Sequence, residues 1–197
     1  MDTPKLRTNW KTWLDTVVSI ATVITLVIAV VEYYGAREDA RVQAALGYVQ
    51  RFHSSPVLES VSDLAEAYGG PEAETLYGSV QQNDVAGWAA KSLEFNKTKN
   101  LERQIEIVAN YFDDLYYCVA HNLCNLKMTV PVLATQAQTV YVMSKSLLDE
   151  LNSKTNGAEG CGLAALANMM TAPAAGTSDT GNNLLDVSRL NKSACPT

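Results

Sequence analysis

The run Leu14–Val31, LDTVVSIATVITLVIAVV, constrains this chain more than any other part of it. Its one charged residue, Asp15, sits at the edge. The hydroxyls of Ser19, Thr22 and Thr25 can return hydrogen bonds to the preceding helical turn, so they cost little in an apolar medium. Extended to Tyr34, the segment is about 21 residues and, as a helix, about 31 Å long, which matches the hydrocarbon core of a bilayer. Trp10 and Trp13 flank one end and Tyr33 and Tyr34 the other, where amphipathic rings settle at headgroup depth. A cleaved signal peptide would have a shorter apolar stretch and a small-residue cleavage site, whereas Ala29 is followed by Val-Val-Glu-Tyr-Tyr. A buried helix of a soluble protein rarely stays apolar on every face for this length. The expectation is a single transmembrane helix at 14–34, behind a flank at 1–13.

The direction of insertion is less constrained. Lys5, Arg7 and Lys11 precede the span, and Arg37 and Arg41 follow it among Glu32, Glu38 and Asp39. Acidic residues count for little in the positive-inside bias, so the flanks differ by only about one charge. That difference favours an internal N-terminus and an external C-terminal domain. The cysteines favour the same direction: Cys118, Cys124, Cys161 and Cys195 are an even set that could form two bridges in an exported domain, with three possible connectivities. The expected location is the cell (inner) membrane, single-pass, with the C-terminal domain periplasmic or otherwise extracytoplasmic.

Beyond the span, Val42, Ala45, Leu46 and Val49 keep a helical spacing with no proline before Pro56, which predicts a helical stalk at 35–53. Ser55 as cap and Pro56 in the first helical position predict a second helix, with Leu58, Val61, Leu64, Ala65 and Tyr68 on its apolar face and Gly69-Gly70-Pro71 at its end. Short helical runs follow at 73–76 and 85–93, with Trp88 as a buried anchor. The strongest pattern is Leu101, Ile105, Val108, Phe112, Leu115 and Val119, one apolar seam on a helix from about 98 to 121. After a turn at 122–127, a further helix from about 130 to 152 carries Leu133, Ala137, Val140, Ser144, Leu147 and Leu151 inward, with Pro131 in its first turn. Two long helices joined by so short a turn lie antiparallel. The fold class is all-α: a transmembrane helix and stalk, then a small bundle at 54–156 built on that hairpin. A Gly/Ala/Ser-rich tail at 157–197 has a helical run at 163–170, a loop at 171–183 and a segment at 184–190 placed to dock back.

The span ending VVEYYGAREDARVQAALGYVQRF, and IEIVANYFDDLYYCVAHNLCN followed by another helix, resemble the bacterial membrane proteins grouped as domain of unknown function 4760. The likeness covers 17–52 and about 101–151 and leaves out the tail. It implies an anchored helical domain and assigns no catalytic residue.

A formal net charge of −6 and a pI near 4.9, with no Lys/Arg cluster, exclude a nucleic-acid binder, which needs a basic footprint. No phosphate loop, Gly-x-Gly-x-x-Gly or Gly-x-Ser-x-Gly elbow occurs. His53 reads as a solvated turn residue, and Asp113-Asp114 and Asp149-Glu150 as solvated helix faces. Asp114, Cys118 and His121 share a helix face, and Cys124 could add a fourth zinc donor from the turn, but structural zinc sites use paired Cys-x-x-Cys knuckles. On one straight helix Cys118 and Cys124 would stand about 9 Å apart along the axis, so bridging them needs the chain to turn at Asn122. Bridges Cys118–Cys124 and Cys161–Cys195 are the favoured reading, with buried free thiols and a metal site as alternatives. Tyr111, Tyr116 and Tyr117 read as core edge or contact surface rather than a redox relay, and would suit a protein interface. These features predict a non-enzymatic membrane-anchored interaction protein, an accessory or scaffolding subunit with no cofactor, partnered by the bilayer and by a protein or a second copy. The alternative is an anchored sensor responding to metal or redox state.

Overall fold

The computed structural model describes residues 6–79, 84–155, 157–171 and 195. Among them the chain forms helices only: α1 (Leu6–Phe52), α2 (Val57–Gly69), α3 (Pro71–Ser79), α4 (Val85–Thr98), α5 (Glu102–Ala120), α6 (Leu126–Thr155) and α7 (Cys161–Thr171). Two compact units result, Met1–Ala40 and Arg41–Thr197.

In the first unit every described side chain from Trp13 to Ala40 is exposed, including Val18, Val23, Leu26 and Val31. Thr22 and Thr25 donate to the carbonyls of Val18 and Ala21 at 2.8 and 2.9 Å, so their hydroxyls are satisfied within the helix. This helix is long and apolar enough to cross a membrane, and none of its apolar window is buried among the described residues.

The second unit opens with the last turns of α1. Ala45 and Phe52 are buried there, and Tyr48 and Val49 half-buried, so the segment expected as a stalk lends its end to the core. In α5 all six seam residues are buried, Leu101 just before the helix begins. α5 packs against α2 on one side and α7 on another, while α6 packs against α4 and α7. The α5–α6 hairpin is therefore not closed on itself: each helix touches α7 more extensively than it touches the other. The supposed tail contributes Leu163, Leu166 and Ala167 to the core.

Helix boundaries depart from the sequence reading in three places. Pro56 occupies the N-cap of α2 after a cis Ser55–Pro56 bond, and the buried face is Val57, Ser60, Leu64 and Tyr68. Leu58 and Ala65 are exposed, because each stands about 100° round the helix from its buried neighbour, Val57 or Leu64. The short helical runs expected at 73–76 and 85–93 are two longer helices, α3 and α4, the latter capped by Asp84, whose carboxylate accepts the Gly87 N–H at 2.8 Å. α6 begins a turn earlier than expected, at Leu126, because Asn125 starts it: its side chain accepts the Lys127 N–H and its carbonyl the Met128 N–H. The predicted loop at 171–183 and docking segment at 184–190 lie outside the described residues, apart from Thr171, which ends α7.

Candidate functional site

Cys118 and Cys124 are disulfide-bonded, with Cα atoms 5.3 Å apart, and so are Cys161 and Cys195, at 5.5 Å. The first is possible because α5 stops between its cysteines. Asn122 adopts the left-handed φ of 61°, the Asn122 N–H reaches the Val119 carbonyl at 3.0 Å, and the Leu123 N–H reaches the Cys118 carbonyl at 2.8 Å. That pair of bonds is the Schellman termination, in which an asparagine can replace glycine. It folds the chain back and brings Cys124 beside Cys118.

The second bond joins the start of α7 to residue 195, and α7 is fixed by a side chain from α5. The Asp113 carboxylate accepts backbone N–H groups of Gly160 and Gly162 at 2.7 Å and of Leu163 at 3.1 Å. Free N–H groups at a helix start carry partial positive charge, and a carboxylate is their best acceptor. Burial nonetheless pushes the Asp113 carboxyl above its ordinary value; the three backbone bonds pull the other way without cancelling that. Gly160, at φ +74°, and Gly162 permit the approach. Asp113 is thus a structural cap and not the solvated carboxylate its sequence position suggests. Asp114 is the exposed member of the pair, 3.2 Å from Arg51.

Tyr111 and Tyr116 are buried, which corrects their assignment to a contact surface. α5 is enclosed on two faces, so both rings fall inside, and the Tyr111 hydroxyl donates to the Tyr48 carbonyl at 2.8 Å. Tyr117 alone of the three is exposed, its ring 4.0 Å from that of His121. His121 Nδ1 lies 2.9 Å from the Tyr117 carbonyl. A carbonyl only accepts, so Nδ1 carries the proton and Nε2 is the outward nitrogen. A cavity of about 790 Å³ opens here, with Asp113, Tyr117, His121, Glu159 and Cys161 among its lining residues. Two of the four donors considered for zinc are tied up in the Cys118–Cys124 bond. Among the described residues, no three His, Cys, Asp or Glu side chains gather to hold a metal.

Comparison with protein-family models, curated proteins and solved structures finds no match. The site is therefore read from its own geometry.

The surface offers a different aromatic patch from the one the sequence suggested. Tyr77 on α3 stacks on Trp88 of α4, with centroids 5.7 Å apart and planes 11° from parallel. The Trp88 indole donates to the Val142 carbonyl at 3.3 Å. Val142 is 50% exposed, and Val85, one turn before Trp88, is 78% exposed. Periodicity could not single out this patch, since its four residues come from three helices. At the ends of the apolar stretch of α1, Trp13, Tyr33 and Tyr34 are exposed; the Trp10 side chain lies outside those described.

Proposed function

We propose that this protein is a non-enzymatic, single-pass membrane protein whose disulfide-fastened helical unit lies on the extracytoplasmic side and binds a protein partner, as an accessory or scaffolding subunit. The observation that carries the reading is the Tyr77–Trp88 stack, in which Trp88, expected as a buried anchor, is half-buried against the core and holds the exposed Tyr77 ring, with the exposed Val85 of α4 and Val142 of α6. Large aromatic rings held rigid at a surface are what protein partners bury most profitably, and isolated exposed valines do not explain a stacked pair. Two disulfides in one small unit support an oxidising compartment. The likeness to the domain of unknown function 4760 membrane proteins belongs to the same reading. A metal-responsive role has less support, because its two thiols are spent on each other.

The test is purification from native membranes in mild detergent, with Val85→Glu and Val142→Glu as variants. Both positions are exposed, so neither substitution buries a charge, and the far-UV circular dichroism of each variant should match that of the unaltered protein. The expected result is a stoichiometric companion, or a second copy, retained by the unaltered protein and lost from both variants. A strictly monomeric unaltered protein, or a companion kept by both variants, overturns the proposal. A reporter fused at the C-terminus, active only outside the cytoplasm, checks the side.

A further inference from the structure

We infer that the α5–α6 turn is a second contact with the bilayer, in which Leu123 and Met128 enter the interfacial layer of the same membrane that holds the apolar helix. The inference rests on the reading of that helix as a span. A Schellman termination normally lays the residue after the left-handed position against the helix it ends. Here the Cys118 side chain is engaged with Cys124, and Leu123 is left 54% exposed at the tip of the turn. Met128, in the first turn of α6, is 42% exposed.

The turn is held firmly. The Cys118–Cys124 bond closes it, the Asn125 N–H donates to the Arg41 carbonyl at 3.2 Å, and the Arg41 guanidinium donates to the Asn122 side chain. A fixed turn loses little freedom on inserting a leucine, so the apolar gain is kept.

Arg41 is also what ties the turn to the membrane. It follows Tyr34 by seven residues, so covalent reach alone keeps it within roughly 24 Å of the end of the span. Tethering at that distance gives even a shallow apolar contact a high effective concentration of lipid. The charges agree. The chain is acidic overall, yet no Asp or Glu occurs between Asp114 and Asp149, and the exposed Lys127 can lay its stem on the apolar layer with its ammonium in water. Insertion therefore brings no carboxylate of the turn toward lipid.

The test uses the full chain in phosphatidylcholine vesicles, with and without bromine on the acyl chains. Trp10→Phe and Trp13→Phe leave Trp88 as the remaining tryptophan, and L123W or M128W is added to that parent. The expected result is a blue shift and a loss of emission in brominated vesicles for both variants, beyond any change in the parent. Emission that follows the parent in both variants overturns the inference. The unaltered protein separates the two readings: if it is quenched through Trp10 and Trp13 while neither variant is, the turn contact falls and the span stands. If nothing is quenched, both fall.

Discussion

A Cβ placed on Gly162 would lie 2.7 Å from the Cα of Asp113, so the start of α7 meets α5 backbone to backbone. The same contact lets the Asp113 carboxylate accept the Gly162 N–H. Close approach and helix cap are one arrangement, and each requires the other.

Gly162→Ala should therefore destabilise the helical unit. Alanine favours a helix over glycine by about 1 kcal/mol, but here its methyl also meets the Tyr116 Cβ at 2.6 Å, and two such contacts with α5 cannot be relieved by rotating a side chain. Overpacking of this kind costs about 1–3 kcal/mol, so the net sign is unfavourable. Denaturant unfolding of the detergent-solubilised protein, followed by far-UV circular dichroism, measures it.

Asp113 should give stability a recognisable pH dependence. Its folded carboxyl is raised above the ordinary value, chiefly by burial, so the folded state holds the proton more tightly than the unfolded one. Its contribution is then fully present below the unfolded pKa and is lost as pH rises to the raised value. Glu150 acts oppositely: its carboxyl is lowered, first by the hydrogen bond from Lys154 and then by that from Lys97, so its contribution is lost as pH falls. Subtracting the Tm–pH curve of Asp113→Asn from that of the unaltered protein isolates the first effect. A difference that stays flat across the acidic range would show that Asp113 carries no such linkage.

The two disulfides should differ in weight. The cysteines of Cys161–Cys195 are 34 positions apart and those of Cys118–Cys124 six. In the chain-entropy account these loops are worth about 4 and about 2 kcal/mol. Paired Cys→Ser variants compared by denaturant midpoint should preserve that order, and free-thiol counting on the unaltered protein should find none.

Under α4, the Tyr68 hydroxyl sits 2.9 Å from both the Asn96 side-chain oxygen and the Met143 carbonyl, and the Asn96 amide donates to that same carbonyl at 2.9 Å. Tyr68→Phe removes hydroxyl bonds and should cost about 1 kcal/mol. Asn96→Ala also empties a fully buried site and should cost more, about 2–3 kcal/mol. Thermal unfolding of both variants tests the order.

Much of this fold is legible in the sequence, for a specific reason. The six seam residues from Leu101 to Val119 repeat at helical spacing because α5 is enclosed by α2 on one side and α7 on another, and every one of them is buried. Tyr111 and Tyr116 mislead because tyrosine is amphipathic: its ring belongs as readily in a core as on a surface, and only the packing of α1 and α7 against α5 decides. Asp113 misleads more completely. Adjacent carboxylates on a helix read as solvated, and its partners, Gly160, Gly162 and Leu163, are nearly fifty residues away. The disulfide pairing is readable only as far as the turn at Asn122 is.

The cap from Asp113 also orders events during synthesis. α7 spans only Cys161–Thr171, too short to persist as a helix by itself. It emerges well after α5, and the carboxylate that caps it belongs to α5, so its helix is held only once that side chain is in place beside it. A chain halted before α7 is made is thus left with α5 uncovered on its α7 side, an apolar face open to chaperones and proteases.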